Sequence, residues 1–156
     1  MMTKVSISPA DPASPAAHSM MAALWEEIQL RYGFEAPMPF SSEAFTGPRS
    51  GFWLAFVNDE PVGSIAISPL SDREAELDMM YVAPSARGTG IAHELLMQLE
   101  TFAREKNFEL IKLRTGTPQP EALRFYEKEG FRLTPVYGRW IGDDTALCLE
   151  KKLSRN

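Results

Sequence analysis

Residues 77–92, LDMMYVAPSARGTGIA, constrain this chain more than any other stretch. An apolar, strand-like run ends in Val82-Ala83-Pro84, turns, and passes through Arg87-Gly88-Thr89-Gly90 into the apolar stripe of a helix, Ile91, Leu95, Leu99 and Phe102. A strand delivered into a helix through two glycines belongs to a sheet with helices packed on it, so the chain reads as α/β. The same turn gathers the unpaired N–H groups of a helix start beside the charge of Arg87. Such a point suits a phosphate.

The rest of the pattern completes that plan. Residues 4–8 alternate as a first strand. Ser14 and Pro15 open a helix over 14–31 with Ala17, Met21, Leu24 and Ile28 on its buried face, and Gly33 ends it. Residues 33–50 contain three prolines and two glycines and form a long loop, a common place for function. Gly51–Val57 and 62–68 are strands joined by the hairpin signal Asn58-Asp59-Glu60-Pro61. Residues 69–73 turn the chain into the strand Glu74–Val82. After the helix at 90–106 come a strand at 109–115, a helix at 120–129 stopped by Gly130, and last strands at 131–136 and 145–151. Residues 1–156 read as one domain.

Several function classes fall away. No apolar run approaches the roughly 20 residues that span a bilayer, so no membrane partner is expected. The N-terminal stretch MMTKVSISPADPASP lacks the order of a secretory signal. The single cysteine, Cys148, excludes an internal disulfide and reads as a small core residue in a strand, which places the chain in the cytoplasm. A net charge of −5 with scattered Lys and Arg argues against nucleic acid. His18 and His93 are isolated and no metal is expected. A Walker-type loop lacks its Gly-Lys-Ser/Thr ending here, and G-x-G-x-x-G fails at His93.

The run R-G-T-G-I-A at 87–92 resembles the acyl-CoA signature Q/R-x-x-G-x-G/A of the GNAT superfamily of N-acetyltransferases, with Arg87, Gly90 and Ala92 in the defined positions. The preceding strand, ending Val-Ala-Pro, resembles that family's fourth strand. A-L-R-F-Y-E-K-E-G-F at 122–131 resembles its A-x-x-F/L-Y-E-K-x-G-F segment, and 115–122 is similar to a bacterial small-molecule branch. The resemblance implies a single-domain mixed, mostly antiparallel sheet of about seven strands, splayed between the fourth and fifth and flanked by helices. It implies acetyl-CoA as cosubstrate, with its pyrophosphate on Arg87, Gly88, Thr89, Gly90, Ile91, Ala92 and His93 and its pantetheine along Met80, Tyr81 and Val82. A fourth-strand bulge would aim the Met80 N–H at the thioester carbonyl. Tyr126 falls at the family's acid position, and Glu76 where some members carry a glutamate base. Gln119 stands where many members have an asparagine near the cofactor.

Strand alternation puts Glu76, Asp78 and Met80 on one face, opposite Leu77, Met79 and Tyr81, unless a bulge alters the parity past Asp78. Asp78 is therefore a second candidate base. The acceptor reads as a primary amine of a small molecule. A peptide or protein N-terminus and a non-catalytic acyl-CoA-binding module are the alternatives. Tyr32, Phe34, Phe40, Phe45, Tyr137 and Trp140 are candidates for the acceptor pocket or for the core. Glu35 and Glu43 either attract an amine or are simply solvated. An exposed last strand would let two copies pair as a homodimer.

Overall fold

The computed structural model describes residues 4–154. The first three residues, where the stretch read for a secretory signal begins, and the last two lie outside the described residues. The elements run β1 (Val5–Pro9), α1 (Pro15–Tyr32), β2 (Gly51–Val57), β3 (Glu60–Pro69), β4 (Glu74–Val82), α2 (Ile91–Glu105), β5 (Leu110–Gly116), α3 (Pro120–Lys128), β6 (Arg132–Thr134) and β7 (Ala146–Lys152). One sheet takes all the strands in the order β1-β2-β3-β4-β5-β7-β6. Every pairing is antiparallel except β4 with β5.

Local chemistry sets these boundaries. The Ser14 hydroxyl accepts from the Ala17 N–H and Pro15 occupies the first turn of α1, while Gly33 at φ 73° closes the helix. The β2–β3 turn is the two residues Asn58 and Asp59, both left-handed at φ 49° and 69°, which matches strand twist. Glu60 and Pro61 therefore belong to β3 rather than to the turn. Pro61 has no N–H to give and sits at the register shift between Ala55 and Phe56. The last-but-one strand is shorter than its sequence suggests and covers only Arg132–Thr134. The chain beyond it makes a one-turn 3-10 helix at Gly138–Trp140.

Two apolar layers cover the sheet. On one face Leu95, Leu96 and Leu99 of α2, with Tyr126 of α3, pack on Ile65, Ile67, Leu77, Ile111 and Leu149. On the other, Ala17, Met20 and Met21 of α1 pack with Phe45 on Phe52, Leu54 and Ala66. Glu100 of α2 is 2% exposed and would be costly alone. Lys151 Nζ from β7 meets it at 2.9 Å and also donates to the Glu129 carbonyl, tying β7 to both helices of that layer.

The expected homodimer edge is not where the last strand lies. β7 is inserted between β5 and β6, so its backbone is paired on both sides, and the sheet ends on β1 and β6. The pairing that matters for function is β4 with β5. It holds only from Glu74 opposite Leu110 to Glu76 opposite Lys112. Beyond that point β5 stays with β7 and β4 stays with β3, and the sheet parts.

Candidate active site

β4 is bent where the sheet parts. Register runs Ala66–Asp78 and then Ser64–Tyr81, so Met79 and Met80 together stand opposite Ile65. Met79 adopts φ 57°, a left-handed conformation that disfavours any residue with a Cβ, at roughly 1–2 kcal/mol. The fully buried Ser64 hydroxyl donates to the Met79 carbonyl at 2.7 Å and satisfies the group that the bulge takes out of the ladder. The bulge also corrects the expected parity. Met80 and Val82 pack with Leu77 on the α2 layer, while Met79 and Tyr81 pack on the α1 layer. Met80 therefore does not share a face with Glu76 and Asp78.

The gap opens a cavity of about 460 Å³, walled by residues 77–82 of β4, Leu113, Arg114 and Thr115 of β5, α1, α3 and the start of α2. Met80, Tyr81, Val82, Arg87, Gly88, Ala92, Gln119 and Tyr126 all line it. Gly88 and Gly90 stand at φ 78° and 86°, with open space where a Cβ would go. The first bond of α2 runs from the Glu94 N–H to the Gly90 carbonyl, which leaves the Ile91, Ala92 and His93 amides ahead of the intrahelical ladder. The side chains of those residues turn elsewhere. Ile91 is in the core, Thr89 donates to the Ala86 carbonyl at 2.5 Å, and His93 Nδ1 lies 2.8 Å from Glu129. Thr89, Gly90, Ile91 and His93 do not line the cavity; of the loop, Arg87, Gly88 and Ala92 do. Arg87 is braced by the Val82 carbonyl at 2.8 Å and by Glu27 of α1 at 2.7 Å. The donors and the space suit a diphosphate with an extended thiol arm.

Two carboxylates meet at the foot of the gap in different circumstances. Glu76 is 1% exposed and receives Tyr137 Oη at 2.6 Å, Arg139 at 2.6 Å and Trp140 Nε1 at 3.3 Å. Burial works against its charge, but the hydrogen bonds from Tyr137, Asp78 and Arg139 and the Arg139 charge together hold it below the usual glutamate range. Glu76 does not line the cavity; Asp78 does. Burial and the neighbouring Glu76 charge push the Asp78 carboxyl well above the ordinary aspartate range, with Arg139 at 3.8 Å opposing them only weakly. Tyr126, 5% exposed, packs between Phe125 and Phe131 at 5.3 and 5.5 Å. Burial and the Asp78 charge raise its phenol, so it keeps its proton across neutral pH.

The aromatic candidates divide. Phe45 is core against Phe52, and Phe34 packs on Trp25. Tyr137 is committed to Glu76, and Tyr32 donates to Gln119 Oε1 at 2.8 Å. Phe40 and Trp140 line the cavity. Neither Glu35 nor Glu43 does. The sequence points to the N-terminal helix as part of the acceptor pocket, and α1 does wall the cavity, but it does not single out Leu24, Glu27, Ile28 and Arg31 there, nor Arg114 on β5. The i,i+4 pair Glu27–Arg31 on the flank of the α1 stripe was the available signal. Arg114 carried none, because only the sheet's parting turns a strand residue into a wall. Among the described residues no cluster of His, Cys, Asp or Glu has the makings of a metal site, and no helix is long and apolar enough to cross a membrane.

Comparison with known proteins meets this geometry. The profile of the Acetyltransferase (GNAT) family matches residues 17–131. The uncharacterized N-acetyltransferase YjgM of Escherichia coli is 34% identical over 123 residues, covering 71% of this chain and 74% of its own. An IAA acetyltransferase of Azospirillum brasilense is 28% identical over 155 residues, 97% of this chain and 100% of the relative. The match spans only 43% of a longer uncharacterized N-acetyltransferase from Methanocaldococcus jannaschii, 32% identical over 97 residues, which covers 58% of this chain. A GNAT family acetyltransferase from Elizabethkingia anophelis, solved with acetyl-CoA bound, superposes with a TM-score of 0.68 at 20% identity, over 96% of this chain and 98% of that one. The chain belongs to the acetyltransferase (GNAT) family and is an N-acetyltransferase of it.

Proposed function

We propose that this chain transfers the acetyl group of acetyl-CoA to a primary amine of a small molecule, with Asp78 as the proton acceptor, Tyr126 as the proton donor and Glu76 as a positioning residue. One observation carries this reading. The parted strands expose Asp78 and Tyr126 to the same cavity, beside the bulged Met79-Met80 backbone and ahead of the free amides of α2.

An amine reaches the site as an ammonium ion and must lose a proton before it can attack. Asp78, whose proton affinity is raised by burial and by the neighbouring Glu76, takes that proton. The nitrogen then bonds to the thioester carbon, and charge develops on the carbonyl oxygen. The Met80 N–H has no ladder partner on β3 and stands where β5 has already left, so it is placed to donate to that oxygen. As the C–S bond breaks, Tyr126 gives its hydroxyl proton to the sulfur. The phenolate recovers a proton from the newly acylated nitrogen, and Asp78 gives the proton it took to solvent, so amide, CoA thiol and one proton leave. Glu76 bears the Tyr137, Arg139 and Trp140 donors and so fixes the 137–140 segment beside Asp78. In the gap, the Arg87 side chain and the backbone of Gly88, Thr89, Gly90, Ile91, Ala92 and His93 would hold the diphosphate. Residues 80–82 would hold the pantetheine arm, and Gln119, held by Tyr32, would border it.

A small acceptor is favoured over a peptide chain by the 33–41 segment. Trp25 Nε1 donates to the Ala36 carbonyl at 2.8 Å, and Phe40 packs on Trp25 at 5.5 Å, so this segment is tied to α1 and holds Phe40 in the cavity wall. The IAA acetyltransferase relative, which this chain matches end to end, also carries a small molecule in its name. The test is thiol release from acetyl-CoA across a panel of amines and peptides, with acetyl-CoA affinity measured in parallel by calorimetry. Acetyl-CoA binding without thiol release from any acceptor would leave only the binding-module alternative.

A further inference from the structure

We infer that the acceptor is a primary monoamine with an uncharged alkyl or aryl-alkyl body, lacking both further cationic groups and a carboxylate. This narrows, and rests on, the acetyl-transfer reading above.

Charge in the cavity wall is already engaged. The acidic side chains that line it are Glu27, Asp78 and Glu121. Glu27 receives Arg87 at 2.7 Å and Arg31 at 3.6 Å, and Glu121 is paired with Arg31. Behind the wall, Glu76 receives Arg139, and Asp143 receives Arg114 at 2.8 Å. Asp78 alone among the lining acids has no arginine nitrogen within hydrogen-bond distance. A single ammonium ion therefore has one carboxylate to approach, the one assigned to take its proton. A second ammonium on the same molecule meets only acids already paired with arginines.

The lining cations are equally committed. Arg31 serves two glutamates, and Arg87 belongs to the cosubstrate loop. Arg114 donates to Asp143, to Thr145 Oγ1 at 3.0 Å and to Tyr32 Oη at 3.1 Å. The rings of Tyr32 and Trp140 lie 5.4 and 5.2 Å from its guanidinium carbon. Freeing Arg87 takes a partner from the partly buried Glu27, and freeing Arg114 takes it from Tyr32 and Thr145, while the exposed Glu121 and Asp143 lose little when their pairs open. A free amino acid is disfavoured by those losses, and a polyamine or aminoglycoside by the pairing of the lining acids.

What the acceptor side does offer is apolar and held in place. Leu24 and Ile28 of α1, Met79 of the bulge, Phe40 and Trp140 line it. Phe40 is backed by Trp25, while Trp140 is fixed by Glu76 on its indole N–H and by Arg139 4.3 Å from its ring. Such walls need no ordering when an apolar body binds. The cavity of about 460 Å³ must also admit the pantetheine arm, so the body is small.

The experiment compares kcat/KM for phenethylamine, tryptamine and hexylamine with that for spermidine, kanamycin and phenylalanine, using full-length protein, acetyl-CoA and a free-thiol readout. The expected result is a preference of about 10-fold or more for the first group. Phe40→Ala, which removes the ring packed on Trp25, should raise KM for phenethylamine about 10-fold and leave acetyl-CoA affinity unchanged. Greatest turnover with spermidine, kanamycin or phenylalanine overturns the acceptor class and leaves acetyl transfer standing. Bound acetyl-CoA with no thiol release from any of the six amines overturns the transfer reading and this inference with it.

Discussion

Replacing Asp78 by asparagine should make the protein more stable and at the same time inactive. In the folded chain burial and the Glu76 charge hold the Asp78 carboxyl well above the ordinary aspartate range. Below about 3.9, the value of a free aspartate, folded and unfolded chains both carry the proton and the group contributes its full stability. As pH rises through the raised folded pKa, a charge appears beside Glu76 and that stability is lost. The D78N amide keeps the shape of the protonated acid and can still donate to Glu76, but it never ionises. Each unit by which Asp78 stands above the free value is worth about 1.36 kcal/mol. About 1 kcal/mol moves the midpoint of a domain of this size by ~2–4 °C. D78N should therefore melt higher than the parent at pH 8, by about 3–5 °C for each unit of that rise, and the difference should shrink steadily as pH is lowered toward 4. Thiol release should fall at least about 100-fold, with acetyl-CoA affinity unchanged. Scanning calorimetry across pH, with activity on the same samples, decides the matter. A D78N protein that melts lower at pH 8, or retains more than a third of parent activity, refutes the assignment of Asp78.

Three further outcomes follow from the same geometry. Tyr126→Phe preserves the contacts with Phe125 and Phe131, and among the described residues no protein group bonds to the hydroxyl, so Tm should stay within about 1 °C while kcat falls roughly 100-fold; unequal acetyl-CoA affinity by calorimetry would argue against it. Gly90→Ala meets no atom within 4 Å, but it forces a Cβ onto φ 86°, so about 1–2 kcal/mol of stability is lost and KM for acetyl-CoA rises, as denaturant melts and steady-state kinetics will show. Glu100→Ala leaves Lys151 with only the Glu129 carbonyl and should cost about 1–3 kcal/mol in chemical denaturation, far from the cavity and with kcat unaffected in the folded fraction.

The elements that were easy to read are those whose causes are local. Ser14-Pro15 and Gly33 bracket α1, and the apolar stripe from Ile91 to Phe102 marks α2. The fold itself was legible through the R-G-T-G-I-A and A-L-R-F-Y-E-K-E-G-F motifs, and the comparisons show the same family. The errors came from features that depend on partners distant in the chain. The short β6 and the interior place of β7 are decided by which strand fills the gap beside β5. The face of Met80 is decided by a bulge that needs Ser64, a residue on another strand, to satisfy its carbonyl. Glu76 and Asp78 look interchangeable in the run E-L-D. They differ because Tyr137, Arg139 and Trp140, some sixty positions on, fold back and hydrogen-bond to only one of them.

The most direct measurement is a crystal structure of the protein grown with acetyl-CoA or CoA at millimolar excess. Density for the diphosphate on the 87–93 backbone, with the thiol arm running between residues 77–82 and 113–116 to end beside Asp78 and Tyr126, is the predicted result. An arm that follows another surface, or a gap that stays without density at that excess, would contradict it.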